Sequence, residues 1–315
     1  MPQPTKNQVH VNRPLTNIAV AFLQDQNEFI SNRVFPNVPV PNQSDSYFVY
    51  PKDQWFRSDA QVRAPSTESA GSGYELDTDT YNAKVYALHK DIDDQIRANA
   101  DAPLNMDRDA TEFVTRGLLL RREKDWAEKY FTSGVWTNED TPSTKWDASG
   151  STPISDMRAY MRDVKVMTGF RPNKLVMGEP VWDVIQDNED FLSRISVNQR
   201  RIVTTDLLAA VLQLDEVLIG GAVQNVAAEK ATADMQFIFS NAALLVYAAP
   251  RPSLMLPSAG YTFSWTGYTG AGADGLRMSR MRVDLRRCDR VEGELAYDQK
   301  QVAADLGFFV DSPLT

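Results

Sequence analysis

The chain has 315 residues, of which 43% are hydrophobic and 24% charged, with a formal net charge of −9 at pH 7. These values suit one large globular domain or two modest ones, and the acidic balance excludes a surface built as a whole to grip nucleic acid. A single cysteine, Cys288, excludes an intrachain disulfide framework or thiolate metal cluster, and two histidines, His10 and His89, form no H-E-x-x-H pairing or histidine-based triad.

Residues 1 to 45 read as an extended arm. Met1-Pro-Gln-Pro-Thr-Lys6 is polar and lacks the apolar core of a signal peptide. No stretch anywhere approaches the roughly 20 apolar residues of a membrane span. Ile18, Val20, Phe22, Leu23, Phe29 and Ile30 suit a short helix. Phe35-Pro-Asn-Val-Pro-Val-Pro41 then forces extended backbone, because each proline fixes its own torsion and restricts its predecessor.

Two aromatic-rich runs follow, Ser46-Tyr-Phe-Val-Tyr50 leading to Trp55-Phe56, and Tyr74 through Lys90. They flank a small, polar, glycine-rich tip from Arg57 to Gly73. In the second run Tyr81, Ala83, Val85 and Ala87 alternate with Tyr86 and Leu88, which predicts a strand. A long hairpin results, and a two-stranded ribbon is marginal alone in water. Neighbouring subunits are expected to cover it.

From about Leu104 to Phe131 the apolar spacing becomes helical, with Val114/Leu118, Leu119/Trp126/Tyr130 and Ala127/Phe131 in register and Asp107, Asp109 and Glu112 near the positive end. A helix of about 28 residues spans roughly 40 Å. Residues 135 to 152 read as a polar loop. Helices and strands then alternate. A helix opens at Thr152-Pro153, is lined by Ile154, Met157, Met161 and Val164, and closes at Gly169. A strand at Lys174–Met177 precedes a helix from Glu179-Pro180 through Trp182 and Ile185, and another helix runs from Thr205 to Gln213. Strands are predicted at Glu216–Ile219, Gln236–Phe239 and Leu244–Tyr247. Beyond the proline-bearing stretch Pro250–Pro257, Tyr261–Trp265, Met281–Leu285 and Phe308–Val310 also read as strands.

Chemical motifs are present only in outline. Gly270-Ala-Gly-Ala-Asp-Gly275 matches G-x-G-x-x-G, but a strand pattern follows where a dinucleotide site needs a helix, so an inter-strand loop is expected. His89 with Lys90, Asp91, Asp93 and Asp94 reads as a strand end entering a solvated acidic turn. Gly220-Gly221 lacks the Lys-Ser/Thr of a phosphate loop, and there is no G-x-S-x-G elbow. No catalytic residue, metal or cofactor is expected. Arg116, Arg121 and Arg122 among Glu123, Lys124, Asp125, Glu128 and Lys129 read equally as a solvated face or as a charged rail meeting other subunits. Arg277, Arg280, Arg282, Arg286, Arg287 and Arg290 are open to phosphate contacts or to acidic neighbours across an interface. The second is preferred, because arginine suits bidentate carboxylate bridges.

The order of these features resembles the major capsid protein of tailed bacteriophages, with the HK97-like fold. The resemblance covers nearly the whole chain and rests on a combination of local runs. They are Phe35-Pro with Val38-Pro-Val40, Tyr47-Phe-Val-Tyr50 with Trp55-Phe56-Arg57, and Arg97-Ala-Asn-Ala-Asp-Ala-Pro103, followed by Leu119-Leu-Arg-Arg-Glu123 with Trp126-Ala-Glu-Lys-Tyr-Phe131, and by Glu216-Val-Leu-Ile-Gly220 with Ala222-Val-Gln-Asn225. It implies an α+β chain with an arm at 1–45, an extended hairpin at 46–92, a long spine helix and first peripheral part at 93–149, an α/β axial domain at 150–257, and returning peripheral strands at 258–315.

The resemblance further implies pentamers and hexamers of one chain closing an icosahedral shell around packaged double-stranded DNA, which is held without sequence-specific binding. Hairpin and arm would cross adjacent subunits. Assembly would take place in the host bacterial cytoplasm, and the finished protein would reside in the virion capsid. A separate scaffolding protein, a portal and a decoration protein are the implied partners, with no membrane. Some relatives cross-link a hairpin lysine to a late asparagine. Lys52 fits that role, but no asparagine follows Asn241, so covalent chainmail is not expected. The residues expected at subunit contacts are Phe35, Tyr47, Tyr50, Trp55, Phe56, Arg57, Arg121, Arg122, Trp126, Tyr130, Arg282 and Arg286. Two alternatives remain: an encapsulin-like nanocompartment shell, which typically begins with a cargo-binding helix, and an α/β enzyme centred on residues 150–257.

Overall fold

A computed structural model describes residues 28–50, 52, 56–100, 105–194, 203–251, 256–268 and 271–315. Of the helix expected through Ile18, Val20, Phe22, Leu23, Phe29 and Ile30, residues 18–27 lie outside the described residues, as do His10, Trp55 and Gly270. Phe29 and Ile30 are not helical and precede the short helix at Ser31–Val34. In chain order the elements are α1 (Ser31–Val34), β1 (Asn37–Val40), β2 (Ser44–Val49), β3 (Asp77–Asn82), β4 (Lys84–Asp93), α2 (Asp94–Ala98), α3 (Met106–Tyr130), β5 (Asn138–Asp140), α4 (Pro153–Thr168), β6 (Lys174–Gly178), α5 (Glu179–Asp187), α6 (Glu189–Leu192), α7 (Thr205–Leu212), β7 (Glu216–Gly220), β8 (Val223–Asn225), β9 (Met235–Phe237), β10 (Ala242–Val246), β11 (Gly260–Trp265), β12 (Leu276–Val283), β13 (Cys288–Gln301) and β14 (Gly307–Asp311).

The long helix α3 forms where its spacing predicts it. Asn105 caps it by accepting the Arg108 N–H at 3.1 Å, and Asp107 and Asp109 occupy the first turn. Its buried stripe of Ala110, Val114, Leu118, Trp126 and Tyr130 follows the i, i+4 rhythm. The first half lies on a sheet ordered β1-β11-β13-β12, with β4 on the other side of β13. Val114 and Leu118 pack there on Leu295 and Tyr297. Gly293 makes this close approach possible, because a Cβ at that position would stand 2.6 Å from Val114 and 2.9 Å from Leu118.

The second half of α3 enters a different core. The second sheet is ordered β5-β14-β10-β6-β7 and is covered on both faces. Strand alternation sorts its side chains. Leu175, Met177, Ala243, Leu245, Phe308 and Val310 face α4, α5 and α7, while Val176, Leu244, Val246 and Phe309 face Phe35, Trp126, Tyr130 and Phe131. One helix thus ties two sheets together. Proline at the start of α4 and Gly169 (φ +76°) at its end bound that helix as predicted.

Three expectations change. The run from Tyr74 to Lys90 is two strands divided at the buried Ala83. β3 pairs only with β2, whereas β4 joins the first sheet through β13. The strand placed at Met281–Leu285 begins earlier, at Leu276, and ends in a 3-10 turn at Asp284–Arg286. Phe308–Val310, grouped with the peripheral strands, pairs with β10 and so belongs to the second sheet, as does β5 from the expected polar loop. After the glycine run, a turn closed by Gly272 and Gly275 leads directly into β12, so no helix opens there.

Candidate assembly surfaces

The ribbon of β2 and β3 runs from Ser44 opposite Asn82 to Val49 opposite Asp77. Its base is anchored to the first sheet. Tyr47 and Tyr81 both stack on Phe263, with centroids 5.5 and 4.6 Å away. Tyr47 Oη donates to Asp79 at 2.7 Å, and Lys300 sits 3.4 Å from the same carboxylate. Burial opposes ionisation of Asp79, yet the bonds from Tyr47, the Thr80 N–H and Lys300 hold its carboxyl below the usual range.

The far end is uncovered. Because alternate residues face opposite sides, Phe48 points away from Tyr47 and is 57% exposed, and Phe56, Val62, Tyr74 and Leu76 are 63%, 101%, 61% and 50% exposed. Every described residue from Phe56 to Thr78 is exposed. Two residues beyond the ribbon's far end nevertheless touch the rest of the chain. Lys52 pairs with Asp305, and the Phe56 ring lies over Gly169, where a Cβ would approach it to 3.1 Å.

Of the residues expected at subunit contacts, four are interior. Phe35 and Trp126 are wholly buried and meet edge to face at 5.5 Å, and Tyr130 lies 5.0 Å from Phe35 and donates its hydroxyl to the Gln299 carbonyl. Burial raises the Tyr130 phenol to about 12. Arg122 is 7% exposed and turns its guanidinium toward the Asn32 side-chain oxygen at 2.9 and 3.1 Å. These four serve the subunit's own core. The helical stripe that places Trp126 and Tyr130 inside also carries Arg122 inward, and the proline-bearing turn after Phe35 folds that ring against them.

Arg57 is exposed, and Tyr50 lies half-buried 6.4 Å from Tyr74. Arg121 is half-exposed, bonds Asp125 at 2.8 Å and stands 5.8 Å over Tyr86. Arg116–Glu112 and Lys124–Glu128 repeat the same i, i+4 pairing, each pair contributing a few tenths of a kcal/mol.

The arginine-rich end of the first sheet is satisfied internally. Antiparallel register sets Arg290 opposite Asp91, Arg282 opposite Asp289 and Arg277 opposite Glu294, so each pair meets across two strands. Arg290 binds Asp91 at 2.7 and 3.0 Å, and Arg286 reaches the same carboxylate at 3.2 Å. Arg282 binds Asp94 at 2.6 Å and Asp289 at 3.3 Å, and Arg280 binds Asp289 at 2.6 Å. Arg97, then Arg280 and Arg282, hold the Asp289 carboxyl far below its ordinary value. The acidic turn near His89, expected to be solvated, is therefore paired with arginines. Arg282 and Arg286, expected to bridge to neighbours, find their carboxylates in their own chain.

Other exposed features lie elsewhere. The short ribbon of β8 and β9 exposes Met235 and Phe237, with Val226 beside it, and Phe113 on α3 is 60% exposed. An open groove of about 670 Å³ runs between the start of α3 and β12, lined by Arg108, Glu112, Arg116, Met278, Arg280 and Val291. Among the described residues no group of three or more His, Cys, Asp or Glu is placed to hold a metal, and no helix is long and apolar enough to cross a membrane. The sequence reading overlooked Phe48, Val62, Tyr74 and Leu76. Alternation from Tyr47 marks Phe48, but no periodic signal marks residues in an irregular tip.

No protein-family profile matches the chain. It is 24% identical over 219 residues to the major capsid protein of Burkholderia phage BcepMu, covering 66% of this chain and 68% of that protein. The fold is similar to that of a phage-related protein from Bordetella bronchiseptica RB50 (TM-score 0.68, 18% identity, 93% of this chain and 94% of that one). It is also similar to the capsid of Myoviridae phage XM1 (TM-score 0.57, 10% identity, 96% and 99%). The encapsulin of Synechococcus elongatus PCC 7942 shares the fold as well (TM-score 0.53, 11% identity, 95% and 93%). The α+β architecture is thus the HK97-like fold of phage capsids.

Proposed function

We propose that the chain is the major capsid protein of a tailed phage, a structural subunit that assembles with many copies of itself into the closed shell of the virion head. One observation carries the reading: a two-stranded ribbon anchored at its base presents Phe48, Phe56, Val62, Tyr74 and Leu76 to solvent. Such a ribbon is marginal alone, and an exposed apolar surface of this kind marks a protein contact. A second copy supplies the cover, and repetition of one weak contact around closed symmetry makes the whole stable.

In this reading Arg57, Tyr50 and the exposed hairpin aromatics meet the adjacent subunit, while the second sheet with its helices meets around the five- and six-fold axes. A scaffolding protein guides closure in the host cytoplasm, and a portal and a decoration protein complete the head. DNA is enclosed without base readout, and no catalytic step is assigned. The encapsulin shell shares the fold, but the sequence relative is a phage capsid protein, which favours the phage reading.

The test is native size. The full chain, alone and with a cognate scaffolding protein, is analysed by size exclusion with light scattering and by negative-stain microscopy. Closed particles or rings of five and six support the proposal. A folded monomer that stays monomeric with scaffold refutes it, and a cargo enzyme enclosed within particles moves the reading to an encapsulin.

A further inference from the structure

Among the described residues β4 pairs with β13 alone, so its other edge carries unpaired backbone groups along the ten residues from Lys84 to Asp93. Proteins shield such edges with prolines, bulges, short strands or charge. The middle of β4 has none of these. It runs in unbroken register against residues 288–297, and Val85-Tyr-Ala-Leu88 carries neither charge nor proline. β12, on the other side of β13, differs, with Arg277, Arg280 and Arg282 among its eight residues.

Helical periodicity sets a large aromatic ring beside that open edge. Val114 and Leu118 of α3 point down onto Gly293 and Leu295. Thr115 turns to Met278 of β12, whereas Gly117 closes on β4, where a Cβ would stand 2.6 Å from the Leu88 side chain. At about 100° per residue, Phe113 therefore stands on the β4 flank of the helix, and it is 60% exposed. Met106 and Leu120 lie one heptad to either side and fall on the same flank, both half-buried. Two such stripes laid antiparallel about Phe113 set Met106 of each copy against Leu120 of the other.

We propose that this margin is a twofold contact between copies of the chain: two β4 edges pair antiparallel near Leu88, and their α3 helices lie side by side with Phe113 at the centre. The inference deepens the shell reading by naming one contact within it. β4 begins at the exposed Lys84 and ends at Asp93, so antiparallel alignment brings opposite charges together and parallel alignment would bring like ones. Opposed residues of antiparallel strands point to one face, so a twofold axis normal to the sheet leaves both helices on the same side. Because α3 packs on β4 and β13 together, two strand spacings separate the helices. That is about 10 Å, the ordinary distance between packed helices. Strand pairing and helix packing are thus satisfied by one geometry.

Phe113→Cys in the full chain tests this, because helices about 10 Å apart bring their facing Cα atoms to about 5–6 Å, within disulfide reach. The variant, alone at high concentration and with a cognate scaffolding protein, is mildly oxidised and run on a non-reducing denaturing gel. Covalent dimer is expected as the main product. None is expected from the unmodified chain, whose Cys288 is buried, or from Val166→Cys, at an 80% exposed position on α4. In the unmodified chain, exchange at about half the amides of a peptide over 84–93 should slow on assembly, because alternate groups face the open edge. Phe113→Lys should lose the twofold contact and keep rings of five and six. Particles without the Phe113→Cys cross-link overturn this inference and leave the shell reading standing, as does unchanged exchange over 84–93. Equal cross-linking at Val166→Cys overturns it as random collision. Cross-linking of Phe113→Cys to Leu76→Cys in mixed chains, without the Phe113→Cys homodimer, gives the edge to the hairpin and also overturns it. Covalent dimers from a chain that never forms particles uphold it without the shell, and a monomer that stays uncross-linked overturns both.

Discussion

Replacing Phe35 by alanine separates two roles for an aromatic ring at the edge of the proline-bearing turn. Phe35 is fully buried, meets Trp126 edge to face at 5.5 Å and Tyr130 at 5.0 Å, and occupies the space over Gly260, where a Cβ would lie 2.4 Å from its ring. Its walls belong to the long helix and to strand backbone, so the void left by truncation collapses little. Buried phenylalanine truncations of this kind cost about 3–5 kcal/mol. With a urea slope of about 3 kcal/mol per molar, the midpoint should fall by about 1 M or more. Urea unfolding of the unassembled chain, followed by the fluorescence of its six tryptophans, Trp126 among them, reads this. A midpoint shift under about 0.3 M, with assembly lost, would refute the reasoning and return Phe35 to the role of a contact between subunits.

Phe56→Ala and Leu76→Ala should do the reverse. Both side chains are mostly exposed in the subunit, so stability should change by no more than about 0.5 kcal/mol while particle yield by light scattering collapses; normal particles from the double variant count against the hairpin contact. Acid should weaken the arginine end of the first sheet. The folded carboxyls of Asp289 and Asp91 lie below their unfolded values, so their contribution is present above the unfolded pKa and lost as pH falls through the folded one, a window below about pH 4. Asp289→Asn should flatten the acid limb of a midpoint-versus-pH series, and an unchanged limb excludes the network as its cause. Gly169→Ala places a side chain at φ +76° against Phe56 and should lower stability by about 1 kcal/mol in thermal unfolding; a neutral result means the end of α4 relaxes.

Much of this architecture is local and therefore legible along the chain. The stripe of Val114, Leu118, Trp126 and Tyr130, the proline and glycine bounding α4, and the apolar strands of the second sheet each state their period or punctuation within a dozen residues. β13 escaped notice because its burial is set by three partners. Cys288-Asp-Arg-Val-Glu-Gly-Glu-Leu-Ala-Tyr297 looks half polar, yet lies between β4 and β12 with its charges paired across strands. The same register sets Arg282 opposite Asp289, and the turn after β12 brings Arg286 to Asp91, so both find carboxylates within the chain.

Identifying which aromatics are interior and which stay exposed needed the tertiary structure. Phe35 and Phe56 look alike in the sequence, but one closes against a helix that begins about seventy residues later and the other stays mostly exposed beside Gly169. The sequence by itself determined the long helix, the bounds of α4 and most strands of the second sheet, because each carries its period or punctuation locally. Only the fold decided which side chains stay exposed, because burial belongs to the pairing of distant segments and not to any one of them.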